Sequence, residues 1–137
     1  ALLRGGDGDT LPVVAKTITQ KQLQEYAQAS GDYNPLHLDP GFAAATQFGG
    51  IIAHGMLTLA FVSELMATRF GRAWLETGSL KVKFQGAAYL GDQVEAWGQV
   101  TKEEQGPDGW RAVCSVGVRN RKTGQELIRG TATVKLG

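Results

Sequence analysis

His54-Gly55-Met56-Leu57-Thr58-Leu59-Ala60-Phe61-Val62-Ser63-Glu64-Leu65-Met66-Ala67-Thr68-Arg69-Phe70-Gly71 is a helix pattern with apolar residues on nearly every side. A helix of that kind is either buried in protein or spans a membrane. At about 15 residues it is shorter than the ~20 a bilayer requires, and it carries Ser63, Glu64, Thr68 and Arg69. It reads as a buried central helix from Gly55 to Phe70, closed by Gly71.

Downstream the hydrophobic period changes from 3.6 to 2. Leu80, Val82 and Phe84 alternate with Lys81, Lys83 and Gln85, and Val94, Ala96, Gly98 and Val100 alternate with Gln93, Glu95, Trp97 and Gln99. Ala112, Cys114, Val116 and Val118 share one face of a third run. Ile128, Gly130, Ala132, Val134 and Leu136 share one face of a fourth. Each run is a strand with one buried face. Turn residues at Gly91-Asp92, Gly106-Pro107-Asp108-Gly109 and Lys122-Thr123-Gly124 separate them.

Upstream, residues 1–10 read as loose and a short strand is expected from Val13 to Thr17. Thr19-Gln20-Lys21-Gln22 is a capping box with Thr19 as N-cap. Leu23, Tyr26, Ala27 and Ser30 then keep the spacing of an amphipathic helix, which Gly31 ends by taking the left-handed conformation. Asp39-Pro40 opens a second helix of about two turns that stops before Gly49-Gly50. Helices followed by strands make the class α+β. The economical architecture is a curved antiparallel sheet wrapped around the buried helix, in a single domain spanning residues 1–137.

Composition narrows the function. With 137 residues, 42% hydrophobic and 20% charged, the chain is long enough to bury a real core. A net charge of +1 supplies no strong field for nucleic acid or an anionic membrane. The single cysteine, Cys114, excludes an internal disulfide, which suits a reducing cytosol; its place in the alternation marks it as core. Ala1 to Pro12 holds no apolar run, so no signal peptide and a cytoplasmic location are expected.

Chemistry concentrates in one window. Gly31-Asp32-Tyr33-Asn34-Pro35-Leu36-His37 sets a carboxylate and an imidazole on either side of a proline that forbids a regular helix. Asn34 is pushed out of the α region by the proline that follows it, so both groups sit on a stiff loop. His54 is the only other histidine. On the residues alone, Asp32 reads equally as an Asx-turn residue and His37 as a satisfied loop histidine. No metal or cofactor is expected, since two histidines without clustered cysteine or carboxylate partners fit no usual ligand spacing.

These motifs resemble those of the MaoC-like (R)-specific enoyl-CoA hydratases, which adopt the hot dog fold. The strongest part is Ser30-Gly31-Asp32-Tyr33-Asn34-Pro35-Leu36-His37, followed by Ala45-Thr46-Gln47-Phe48-Gly49 and His54-Gly55-Met56-Leu57. Tyr89-Leu90-Gly91-Asp92 before a long strand and the ending Val134-Lys135-Leu136 are weaker matches. Three ordered motifs are specific where one is weak, and the match covers most of the length. The resemblance implies Asp32 and His37 as the catalytic pair, the backbone amide of Gly55 as donor to a thioester oxygen, and Ser63 as polar support from the central helix. It also implies an acyl-CoA substrate, and a homodimer whose sheets join with the sites near the interface.

The chemistry needs such groups. To hydrate a 2-enoyl thioester, water must lose a proton as it attacks C3, C2 must gain one, and the thioester oxygen must carry enolate-like charge between. A positioned acid/base pair is worth ~10²–10⁴-fold, and a preorganised amide at a helix N-terminus about 3 kcal/mol. Asn34 is expected to hold the loop through its backbone, and His54 to be structural, as a cap of the helix. Lys81, Lys83 and Arg72 are candidates for CoA phosphates, with a solvated face the plainer reading. Three rivals stand beside the hydratase. One is a dehydratase running the same chemistry backwards on CoA or acyl-carrier-protein substrates. Another is a thioesterase of the same fold, whose usual motifs do not place Asp-x-Asn-Pro-x-His here. The last is a non-catalytic acyl-binding subunit, expected to have lost one of the pair.

Overall fold

The computed structural model describes residues 9–136; the loose stretch expected at 1–8 lies outside them. The central helix, α4 (Gly55–Phe70), has the bounds read from the sequence, and Gly71 closes it by donating its N–H to Ala67 O at 2.8 Å. Its surroundings differ from expectation. Thr58, Phe61, Val62, Leu65 and Met66 are buried, but Met56 is 59% exposed and Ala60 is exposed too. The sheet covers one face of α4, and the exposed face runs from Met56 and Ala60 to the polar Glu64 and Thr68.

That sheet is antiparallel and has six strands among the described residues. β1 (Asp9–Thr10) and β2 (Val14–Thr17) lie along one edge of β4 (Gln93–Gly106), with Asp9 opposite Val100 and Thr17 opposite Gln93. Asp9 and Thr10 were expected to be loose; pairing with β4 orders them. β5 (Gly109–Asn120) and β6 (Glu126–Lys135) continue the meander, and β3 (Ser79–Phe84) closes the far side by pairing with β6. The other edge of β3 has no partner strand among the described residues.

The alternation read from the sequence holds in β4, β5 and β6. Val94, Ala96 and Val100, then Ala112, Cys114, Val116 and Val118, then Ile128, Ala132 and Val134 are all at most 1% exposed. They form one face against Val62 and Leu65 of α4. A Cβ at Gly98, in the middle of that face, would come within 3.0 Å of both Leu11 and Leu65. Glycine there lets helix and sheet approach. Register shifts at Val100/Lys102 and Val118/Arg119 bend the strands around the helix.

α1 (Gln20–Ser30) begins with both halves of the expected capping box, each at 3.2 Å, and buries Leu23 and Ala27. α5 (Arg72–Thr77) was not read from the sequence. It is only six residues long, too short for a periodic signal, and it starts directly after Gly71 with Trp74 as its buried anchor. No helix among the described residues is long and apolar enough to cross a membrane.

Leu65 is 1% exposed at the centre of the helix–sheet contact. Leu65→Ala is therefore expected to cost about 2–5 kcal/mol of stability, measured as a lower denaturant midpoint with unchanged slope.

Candidate active site

Asp32 is placed by the end of α1. Gly31 takes φ 78° and returns its N–H to Ala27 O at 2.8 Å, a left-handed turn that a side chain would strain. The chain leaves the helix there. Asp32 N–H donates to Ser30 Oγ at 3.1 Å, and Ser30 Oγ donates its own proton to Tyr26 O at 2.7 Å. The Asp32 carboxylate accepts from Asn34 N–H at 3.2 Å.

Pro35 acts differently from expectation. Helix α1 has already ended at Gly31, and Pro35 opens a one-turn helix, α2 (Pro35–Leu38). Proline is tolerated at that first position because its missing N–H has no helical acceptor to lose. Asn34 holds the loop as expected, as the N-cap whose Oδ1 accepts from Leu36 N–H at 3.0 Å. α3 (Pro40–Ala44) follows, capped by Asp39 through Phe42 N–H at 3.1 Å, and at five residues it is shorter than the two turns expected.

His37, carried by α2, is 8% exposed. Its Nδ1 lies 2.8 Å from Ile52 O. A carbonyl only accepts, so Nδ1 carries the proton and Nε2 is the nitrogen left for chemistry.

His54 holds the N-cap position of α4 but makes no side-chain cap, contrary to the expectation from sequence. Its ring is turned the other way. Nε2 donates to the backbone carbonyl of Asp32 at 3.0 Å, and the ring stacks on His37 with centroids 4.0 Å apart and planes 25° apart. Tyr26 is tilted against the His54 ring, with centroids 4.8 Å apart.

Asp32, His37 and His54 thus offer polar atoms all within 4.8 Å of one another. The premise that no carboxylate clusters with the histidines is overturned. The cluster is still ill-shaped for a metal. Imidazole lone pairs lie in the ring plane, and two rings stacked 4.0 Å apart do not converge on one ion at ~2 Å from each.

Two clefts meet at this cluster. One, of about 450 Å³, is lined by His37, Phe48, Ile52, Thr58 and Ala88. The other, of about 440 Å³, is lined by Tyr26, Ser30, Asp32, His54 and Met56. Gly55 and Phe84 border both. Gly55 is the first residue of α4, so its N–H has no acceptor within the helix and sits at the positive end of the dipole. A Cβ on Gly55 would come 3.2 Å from the Phe84 ring, so glycine also seats that ring. Phe84 was expected on the buried face of β3 but is 52% exposed, as the strand's last residue beside the clefts. Tyr26 and Ser30 were read only as one face of α1. That face, four residues apart and just before Gly31, was the available sign that both lie beside Asp32.

Ser63 is not brought to the pair. It lies eight residues beyond Gly55, roughly 12 Å along the helix, and its Oγ accepts from Trp74 Nε1 at 2.9 Å. The contact pins α5 to α4. Arg72 is occupied by Glu76 at 3.0 Å, while Lys81 and Lys83 stand exposed on β3. Ser63→Ala leaves the Trp74 indole without this acceptor and is expected to cost about 1–3 kcal/mol, checked by chemical denaturation.

The MaoC like domain model matches residues 7–124. A 3-hydroxybutyryl-CoA dehydratase of Methylorubrum extorquens is 33% identical over 85% of this chain and 76% of its own length. An (R)-specific enoyl-CoA hydratase of Aeromonas caviae is 32% identical over 90% of each. The solved (R)-hydratase of A. caviae superposes with a TM-score of 0.82 at 30% identity, covering 96% of both chains. An unliganded R-hydratase from Pseudomonas aeruginosa gives 0.79 at 32%, over 93% of this chain and 79% of that one. The shared arrangement of sheet and helix is the hot dog fold. The relatives are hydratases and dehydratases, which are hydro-lyases, and the chain belongs with them in the MaoC-like domain family.

Proposed function

We propose that the chain, acting as one domain, catalyses the reversible (R)-specific hydration of trans-2-enoyl-CoA to (R)-3-hydroxyacyl-CoA. The observation that carries this reading is the meeting of the Asp32 carboxylate and the His37 ring at clefts that Gly55, the first residue of α4, borders. The apolar cleft next to them suits an acyl chain.

A water held between the carboxylate and His37 Nε2 has both protons engaged, which turns a lone pair toward C3. As the C3–O bond forms, one water proton passes to the pair and the C2=C3 electron pair moves toward the thioester. The Gly55 amide holds the oxygen that gains charge, and the developing carbanion at C2 takes a proton back from the pair. One proton leaves the water and one reaches C2, so the pair returns to its starting state. In the working assignment Asp32 takes the proton and returns it to the bound oxygen as that oxygen gives its other proton to His37 Nε2, which delivers it to C2. Asn34 and His54 support the loop, and Ser63 supports only the packing of α4.

Run backwards, the same steps dehydrate a 3-hydroxyacyl thioester, and the presence of a dehydratase among the relatives favours keeping both directions open to this site. The reading includes a cytoplasmic location. It also includes a homodimer, supported by the unpaired edge of β3 and by the exposed Met56 and Phe84 near it.

Crotonyl-CoA should lose its conjugated thioester absorbance on addition of the protein, with a product of R configuration. Asp32→Asn and His37→Ala should each lower kcat/KM by at least ~10²-fold without changing the circular dichroism; full activity in either variant refutes the pair. Light scattering should report twice the 14.6 kDa chain mass. A monomer at all concentrations refutes the dimer.

A further inference from the structure

Asp32 is exposed, yet its backbone is gripped from both sides. Its N–H is held by Ser30 Oγ at 3.1 Å and its C=O by His54 Nε2 at 3.0 Å. Ser30 is in turn fixed to Tyr26 O at 2.7 Å. A surface carboxylate at the end of a helix needs no such restraint to fold.

His54 is a poor choice for its position by local rules. It occupies an N-cap, where Ser, Thr, Asp or Asn would bond the first turn, and makes no cap. It is 1% exposed, and its Nδ1 is buried without a hydrogen-bond partner among the described residues. Breaches of local rules of this kind gather at functional sites. What the ring does is touch both members of the pair. One edge bonds the Asp32 carbonyl and one face lies on His37 at 4.0 Å, with Tyr26 tilted against it at 4.8 Å. A flat, rigid group in that place fixes the separation between carboxylate and imidazole.

We propose that His54 is a positioning residue that, together with Ser30, clamps the backbone of Asp32 and sets its carboxylate against His37 without touching a reacting atom. The geometry stands on its own; its kinetic consequence rests on the hydratase reading.

Three substitutions separate this role from simple packing. His54→Phe keeps a flat ring and removes the donor, His54→Gln returns an amide N–H near the place of Nε2, and Ser30→Ala opens the other side of the clamp. His54→Phe should lower kcat on crotonyl-CoA by about 10–100-fold, since a misplacement near 1 Å suffices for that, with KM changed by no more than about 2-fold. His54→Gln should recover most of kcat, and Ser30→Ala should lose several-fold. In an Asp32→Asn background the His54→Phe and Ser30→Ala losses should vanish, because the positioned group is gone. Full kcat in both His54→Phe and Ser30→Ala overturns the proposal. So does a His54→Gln as slow as His54→Phe, or an undiminished loss in the Asp32→Asn background. Should His54→Phe not fold, Ser30→Ala and its pairing with Asp32→Asn decide between clamp and packing by themselves.

A second readout needs no substrate. The chain has two histidines, so a long-range proton–nitrogen spectrum of the wild type resolves both rings. His54 should be the Nε2–H tautomer and His37 the Nδ1–H tautomer. His54 as the Nδ1–H tautomer overturns the clamp whatever the activity. Wild-type inactivity on enoyl-CoAs with both tautomers as stated overturns the hydratase reading and leaves the clamp standing.

Discussion

The packing of α4 on the inner face of the sheet fixes where its first turn lies, and the site is assembled around that turn. The contact is close because β4 has no side chain at Gly98, which lets Leu65 settle against the sheet beside Leu11. With the helix axis fixed, His54 and Gly55 have one place to be. His54 then ties the end of α1 to the start of α4 through the Asp32 carbonyl, while His37 reaches the same region by bonding Ile52 O. Asp32 and His37 therefore take their separation from the core and not from the loop that joins them. A slip of α4 along the sheet would move the amide and the imidazole stack together.

Much of this was legible in the sequence, and the reason is locality. The bounds of α4, the capping box of α1, the left-handed Gly31 and the four alternating runs each rest on residues within a few positions of one another. Asn34 as a loop-holding residue follows from the same short-range chemistry. What escaped depends on partners far along the chain. Asp9 and Thr10 become a strand only because β4 accepts them. α5 is held by Trp74 bonding Ser63 across the turn. Phe84 alternates correctly on β3 yet ends beside a cleft and not under the core. The resemblance drew Asp32, His37 and Gly55 into one account, but the work of His54 was misread. As an N-cap its role would have been local; the ring instead serves a carbonyl 22 positions upstream.

Burial divides the pair in a way the sequence did not announce. His37 is buried and its Nδ1 is committed to a backbone carbonyl, so its ring has one orientation. Asp32 is exposed, and its carboxylate accepts from Asn34 N–H, which fixes its direction. A buried imidazole with one open nitrogen and a surface carboxylate with one open oxygen are complementary ways to hold a small polar molecule between them. The stacked His54 ring serves both without competing for it, since its Nε2 already faces a carbonyl.

The uncovered face of α4 and the open edge of β3 bear on the same place. Met56 lines the cleft that holds Asp32, Phe84 borders both clefts, and these two are among the most exposed large apolar side chains of the chain. An unpaired edge strand flanked by exposed apolar groups favours pairing with another strand. In the dimer proposed above, a second sheet added at β3 would arrive beside Phe84, and Phe84 packs on Gly55. The residue that seats the candidate oxyanion donor thus lies at the rim where a partner would close the cleft. Association and completion of the acyl site would then be one event, with dilution weakening catalysis before it unfolds the chain.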